Sequence, residues 1–284
     1  MKNVTLTSGI YSVVLPAPQW GYETIIDMNM NLDVSPEGKP KYFDYTSQHD
    51  KRKCKVSFYL TSSQSTAIYS FLQNESVRCS DITMTMDSGS GFYPFGSDKC
   101  SLTYDIRVLN HSRPGKLLRP HMRFPFEIEM LMVDTGTLLT IPAGRKQGNL
   151  TIGTANNLPF PKTPSENEFV YNSISEITLG GNAYSMDRGL VNDSDTGYWT
   201  SSLSLELNVY NMSKLLSCLV GFSRSQNISI DCPKGFFMFG TEKSNSDGSG
   251  KYIVKQMIKK LNVAHSVYNR QKIELKFLLI SKAG

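Results

Sequence analysis

The sequence predicts a mainly β chain made of two tandem, similar β-sandwich or barrel domains, each carrying one short α-helix. Three observations lead there. Apolar residues alternate with polar ones along much of the chain, at the period of a half-buried strand. Ser, Thr, Asn and Gly are plentiful, and these residues favour strands and turns over long helices. Above all, one stretch returns: Gly91-Phe92-Tyr93-Pro94-Phe95-Gly96 reappears as Gly235-Phe236-Phe237-Met238-Phe239-Gly240, displaced by 144 residues in a chain of 284.

The flanks of that stretch return as well, in the same order. Asn3-Val4-Thr5-Leu6 pairs with Asn149-Leu150-Thr151-Ile152, and Leu15-Pro16-Ala17-Pro18 with Leu158-Pro159-Phe160-Pro161. Val56-Ser57-Phe58-Tyr59-Leu60 pairs with Leu203-Ser204-Leu205-Glu206-Leu207, and Ala67-Ile68-Tyr69-Ser70-Phe71-Leu72 with Lys214-Leu215-Leu216-Ser217-Cys218-Leu219. Ile128-Glu129-Met130 pairs with Ile273-Glu274-Leu275, and all these displacements lie between 143 and 147. An ordered series of this kind reads as a duplicated domain, and so long a period means two folded copies rather than a solenoid. The copies are assigned to 1–146 and 147–284, each large enough to bury a core of its own.

Taken in order, residues 4–14 alternate and are stopped by Pro16 and Pro18. Ile26, Met28, Met30 and Leu32 alternate with Asp27, Asn29, Asn31 and Asp33. With the turn at Pro36-Glu37-Gly38-Lys39-Pro40 and the climb through Tyr42, Phe43 and Tyr45, 25–46 reads as a hairpin. Val56, Phe58 and Leu60 make the next strand. Thr61-Ser62-Ser63-Gln64 is a helix start, with a hydroxyl cap and Gln three residues on. Ala67, Ile68, Phe71 and Leu72 form one face of the helix that follows, expected at about 62–73 with a partner at about 211–221. Ile82, Met84 and Met86 form a strand before the glycine–aromatic stretch. Leu102 to Val108 and Phe124 to Met130 alternate after it. The second copy retraces this path through Ile228-Ser229-Ile230, Tyr252 to Ile258 and Ile273 to Ile280.

Composition limits the chemistry. The net charge of +5, with 19% charged and 39% hydrophobic residues, describes a globular chain with a polar and nearly neutral surface. Nucleic-acid binders concentrate positive charge on one face; here Lys51-Arg52-Lys53 and Lys259-Lys260 are short clusters, read as solvated loops and strand edges. No apolar run is long enough for a membrane span. The five cysteines, Cys54, Cys79, Cys100, Cys218 and Cys232, lack any Cys-x-x-Cys spacing and read as reduced, mostly buried thiols. His49, His111, His121 and His265 do not cluster at metal-ligand spacing and do not recur between the copies, so surface or loop positions are expected. Asn192-Asp193-Ser194-Asp195-Thr196-Gly197 lacks the closing Glu of a calcium loop. No catalytic, cofactor or metal site is assigned. The repeated motif residues Gly91, Phe92, Tyr93, Phe95, Gly96, Gly235, Phe236, Phe237, Phe239 and Gly240 are expected to be packing plugs, with a carbohydrate or base-stacking platform as the competing reading.

The Leu15-Pro16-Ala17-Pro18 opening with Trp20-Gly21, the hairpin, the hydroxyl-capped helix ending in Phe71-Leu72, the glycine–aromatic turn and the final Ile-Glu strand together resemble tail proteins of tailed bacteriophages. The likeness is to tail-tube-like proteins and to distal-tail or tail-tip ring proteins of the baseplate, and it spans both copies. It implies a tail-tube-like β domain in each copy. It also implies a virion structural protein without catalytic residues, assembled in the bacterial cytoplasm into a ring around the channel that carries DNA. Duplicated members imply three chains in a ring with pseudo-sixfold symmetry; a hexamer is the alternative. The implied partners are further copies of the chain, other tail proteins and DNA passing without sequence-specific contact. The implied lumen-facing candidates are the hairpins 25–46 and 169–189.

Two other classes compete with this reading. A receptor- or glycan-binding tail protein would present solvent-facing aromatics unmatched between the copies, and Trp20 and Trp199 are the only tryptophans. A hydrolase would gather acidic or nucleophilic residues in one copy, and the sequence has no such cluster.

Overall fold

The structure is a computed structural model, and it describes residues 2–28, 30–34, 40–44, 50–112, 123–144, 146–161, 166–171, 173–177, 183–187, 197–221, 227–266 and 269–283. The first half begins with the hairpin β1 (Val4–Ser8) and β2 (Tyr11–Leu15), followed by β3 (Glu23–Asp27), β4 (Met30–Val34), β5 (Pro40–Asp44) and β6 (Lys51–Leu60). Then come α1 (Ser62–Gln73), α2 (Glu75–Arg78), β7 (Ile82–Met86), a 3-10 turn at Ser97–Lys99, β8 (Thr103–His111) and β9 (Phe124–Thr135). The second half runs β10 (Leu150–Ile152), β11 (Ala155–Leu158), β12 (Glu166–Tyr171), β13 (Ser173–Ile177), β14 (Ala183–Asp187) and β15 (Gly197–Asn208). It closes with α3 (Val209–Gly221), β16 (Ile228–Cys232), α4 (Gly240–Lys243), β17 (Gly250–Gln256), β18 (Lys260–His265) and β19 (Arg270–Ala283).

The alternating residues do what their period demands. In β6, Arg52, Cys54, Val56, Phe58 and Leu60 point inward while Lys51, Lys55 and Tyr59 face water. The helix start is also as the sequence has it: Thr61 accepts from the Gln64 backbone, and the Gln64 side chain accepts from the Thr61 N–H. Helix α1 buries Ser65, Ile68, Phe71 and Leu72. Helix α3 starts at Val209, two residues before the expected position, with Asn208 Oδ1 accepting from the Asn211 N–H at 2.8 Å as its cap.

The antiparallel pairing order in the first half is β2-β1-β7-β8-β9-β6-β3. In the second half it is β11-β10-β16-β17-β19-β15-β12. Irregularities recur with the order: the ladder of β8 on β9 slips between Asp105 and Ile106, and that of β17 on β19 between Ile253 and Val254. The registers also correct the sequence alignment of the closing strand. Val56 faces Ile128 and Leu203 faces Leu275, so matching Val56 to Leu203 matches Ile128 to Leu275, not to Ile273.

The sequence predicts a separate sheet for each half, but the two are joined. Strand β3 pairs with β6 along one edge and with β18 along the other, while β18 also pairs with β19, so one 15-stranded sheet passes through both halves. Backbone donors and acceptors on both edges of β3 thereby find partners. Ile26 and Met28 accordingly pack into the core of the second half, beside Leu203, Leu216, Phe239 and Phe277. The first half keeps its own core around Val56, Phe58, Phe95, Tyr104 and Phe126. The hairpins expected at 25–46 and 169–189 are shorter, β4–β5 and β13–β14, and the residues that lead into them belong to β3 and β12 of the large sheet. Residues 45–46 and 188–189 lie outside the described residues. Among the described residues, no helix is long and apolar enough to cross a membrane.

Candidate functional site

The repeated motif lies in a loop with glycine at both ends, and the two copies match closely in conformation. Gly91 and Gly235 have φ of +70° and +79°, and Gly96 and Gly240 have +98° and +77°. At Gly96 the need for glycine is steric too, since a Cβ would lie 2.8 Å from Asp98 Oδ1 and 2.9 Å from Arg52 Nη1. Phe92, Phe95, Phe236 and Phe239 are buried, Tyr93 is half-buried, and Phe237 is 37% exposed. Phe95 meets the edge of Tyr104 at 5.2 Å and 64°, and Phe239 meets Tyr252 at 5.1 Å and 63°. Both aromatic pairs have the T-shaped geometry that the ring quadrupole favours. Each loop is also tied to the first main-sheet strand after the opening hairpin. Thr24 Oγ1 donates to the Pro94 carbonyl at 2.9 Å, and Asn167 Nδ2 donates to the Phe237 carbonyl at 3.2 Å.

The first of these loops sits where the two halves meet. Beneath it lies Arg52, fully buried at an inward position of β6. Its Nη1 and Nη2 donate to the two oxygens of Asp98 at 2.7 Å each, Nη1 also donates to the Phe95 carbonyl at 2.7 Å, and Nε donates to Asp50. Burial opposes the guanidinium charge, but the hydrogen bonds and charges of Asp98 and Asp50 outweigh it, and Arg52 is held more firmly protonated than in water. Arg52 is a correction to the sequence reading, which took Lys51-Arg52-Lys53 as solvated. Two signals pointed to it: the alternation of β6 carried back through Cys54, and an aspartate two residues before Arg52 (Asp50) with another two residues after the motif (Asp98).

Across the junction, Leu216 of α3 comes within 3.3 Å of the position a Cβ on Gly96 would take, and Ser97 Oγ donates to Gln271 Oε1 at 3.3 Å. Gly21 N donates to the His265 carbonyl and His265 N to the Tyr22 carbonyl, both at 3.0 Å. The His265 ring stacks on Tyr22 at 4.1 Å, and its Nε2 is 3.0 Å from Thr24 Oγ1. Because the Thr24 hydroxyl proton goes to the Pro94 carbonyl, its oxygen accepts, which assigns the neutral ring's proton to Nε2.

His265 is therefore a strand residue, 3% exposed, and not the surface or loop histidine the sequence suggested. Burial lowers its pKa from 6.5 to about 3. The unfolded chain takes up this proton near 6.5 and the folded chain does not, so stability is full above that pH and falls as pH drops from about 6.5 toward 3. Unfolding free energies from urea titrations between pH 8 and pH 4 are expected to fall below pH 6.5 by roughly 1 kcal/mol per pH unit. His265→Gln is expected to flatten that slope, and an unchanged slope in the variant would place the titration elsewhere.

His111 is half-buried and edge-on to Tyr69 at 5.8 Å, while His49 and His121 lie outside the described residues, as does 192–196 of the acidic turn. Cys54, Cys218 and Cys232 are buried, Cys100 is partly buried and Cys79 is exposed, all as free thiols. Burial raises the Cys54 pKa and pushes Cys232 to about 12, which removes the thiolate character that reactivity needs. Trp20 is 38% exposed, whereas Trp199 packs against the second core beside Gly240. The arrangement at the junction is thus a locked joint of packing, one buried ion-pair cluster and shared strand edges. No protein-family model matches the chain, and no curated protein matches it.

Proposed function

We propose that the chain is a structural subunit of a tailed-phage tail, forming a ring around the DNA channel at the tail tube or at the distal tail and tip. On this reading 1–146 and 147–284 are two similar tail-tube-like β-sandwich domains, and the chain has no catalytic task. The observation that carries it is the way the halves are joined. The outer edge of β3 in the first half lies on β18 of the second half, which is a contact between unlike surfaces. A contact of this kind, repeated between like units, runs head to tail and closes into a ring when its rotation divides a full turn. With two like units in each chain, three chains make a pseudo-sixfold ring, and six chains make a ring of twelve units. Other tail proteins would stack above and below, and DNA would pass through without base recognition.

Negative-stain electron microscopy together with native mass spectrometry of the purified chain tests this. The expected result is a ring with a central hole and twice as many similar lobes as chains. A species that stays monomeric at assembly concentrations, or a compact particle with no hole, would overturn it.

A further inference from the structure

Resting on the ring reading, we infer that a second copy of this chain docks head to tail on the outer edge of β12, which pairs there with the edge at 110–112 of that copy. The junction inside the chain supplies the template. Measured through β6 and β15, β12 stands in the second half where β3 stands in the first, with Glu166 for Glu23, Asn167 for Thr24 and Phe169 for Ile26. Yet among the described residues β12 pairs only with β15, whereas β3 pairs on both sides. An edge strand left open in this way is a standing template for another chain.

The other side of the template is the end of β8, where the His111 N–H donates to Asn110 Oδ1 at 2.8 Å and the Ser112 carbonyl accepts from the Tyr69 hydroxyl at 3.1 Å. Ile128 faces His111, and Leu275, in the place of Ile128, faces Leu261 when the register of β18 on β19 is continued by two residues. The segment 110–112 therefore takes the place of the start of β18, the strand on which β3 lies. Burial at matched positions shows what is uncovered. Thr24 is fully buried and Asn167 exposed; Leu261 is fully buried and His111 half-buried; Leu216 is fully buried and Tyr69, its counterpart on α1, half-buried. In each pair the covered residue lies at the junction, and its counterpart lies away from it and keeps more exposed surface, although Tyr69 and His111 pack edge-on against each other.

A cleft marks the vacant seat. In the second half Met28 of the incoming segment lies against Gln256, with Nε2 to Sδ at 4.0 Å. Val108 holds the place of Gln256, since it faces Met130 as Gln256 faces Phe277. Val108 lines an open cleft of about 440 Å³, together with Leu72, Val77, Ile82, Leu109 and His111. On β12, Tyr171 holds the register position that Met28 holds after β3.

The template fixes a register. Leu261 opposite Ile26 and Asn262 opposite Ile25 become His111 opposite Phe169 and Ser112 opposite Glu168 of the other copy. Opposed residues in an antiparallel pair have Cα atoms about 4.5–5.5 Å apart, within the range a disulfide spans. The test uses the full chain carrying Cys79→Ser, to remove the exposed thiol, with Ser112→Cys in one preparation and Glu168→Cys in another. Mixed and oxidised, they are expected to give a disulfide-linked dimer that neither preparation gives alone. Asn110→Cys mixed with Glu168→Cys, two residues out of register, is expected to give several-fold less. Assembly seen by native mass spectrometry without the mixed dimer would overturn the docking surface and leave the ring reading standing. A chain that never assembles would overturn both.

Discussion

Arg52→Met is expected to destabilise the chain by about 3–5 kcal/mol, the cost of breaking a buried ion pair from one side. The substituted side chain keeps most of the length and apolar stem of arginine, so the loss falls on the charge and its hydrogen bonds. What remains is Asp98, whose side chain is 5% exposed, Asp50, whose side chain is 12% exposed, and a Phe95 carbonyl that has lost its donor. An unpaired carboxylate in that position is costly, and it would draw water into the joint beside Leu216. Asp98→Asn in the same chain is expected to recover part of the loss, because a neutral amide needs no counter-charge. The double-mutant cycle, read from urea unfolding at neutral pH, should give a coupling of about 1 kcal/mol or more. A single variant that costs less than about 1 kcal/mol would mean the guanidinium is dispensable and Gly96 has some other reason to be glycine.

Arg52 also shows where sequence reasoning reached its limit. The mainly β character was plain, because β6, β9 and β16 each bury alternate residues, and the cap of α1 was plain, because Thr61 and Gln64 meet a known local geometry. These features depend on residues close together in the chain. The joint does not. Strand β3 alternates like any half-buried strand, and nothing in Glu23–Asp27 states that its second edge belongs to β18 some 240 residues later. Strand β18 itself was overlooked, although Leu261 and Val263 alternate with Lys260, Asn262 and Ala264. The sequence reads a strand through to Ile258, but β17 ends at Gln256 and β18 begins at Lys260, and between them the Lys259 carbonyl accepts from Met28 N at 3.0 Å. The two-residue slip in matching Ile128 has a similar origin: a strand has period two, so a shift of two residues leaves the apolar pattern unchanged and only the partner strand reveals it.

The candidate site was legible in part for the same physical reason. Gly91, Gly96, Gly235 and Gly240 were visible because left-handed backbone leaves few alternatives to glycine, and the aromatics between them were visible because they return in order. Their surroundings were not. The same scaffold position is filled by Arg52 in the first half and by Trp199 in the second, as the registers of β6 on β3 and of β15 on β12 place them. One is a charged clamp and the other an aromatic packed beside Gly240, so a comparison of residue types between the halves finds no match.

Phe95→Ala and Phe239→Ala are each expected to cost about 3–5 kcal/mol, the range for deleting a buried phenylalanine and leaving its cavity. Both rings are fully buried. Each also loses an edge-to-face partner, Tyr104 or Tyr252, a contact that adds roughly 0.5–1.5 kcal/mol beyond area. The two losses should differ in one respect. Phe95 precedes Gly96 and its carbonyl is held by Arg52, so collapse of its loop reaches the junction and Leu216. Phe239 lies in the core of the second half, and its loop ends at the half-exposed Gly240. Phe239 shares its core with Ile26 of β3 and with Leu261 and Val263 of β18, so hydrogen exchange should show β3 and β18 loosened in both variants, and the 91–96 loop held by Arg52 loosened only by Phe95→Ala. Phe237→Ala, at a ring 37% exposed, is the control and is expected to stay within about 0.5 kcal/mol. A Phe237→Ala chain that keeps its stability but loses binding to a glycan array would favour the platform reading of the motif over the packing one. Stability equal to the parent in Phe95→Ala or Phe239→Ala would remove the plug reading in that half.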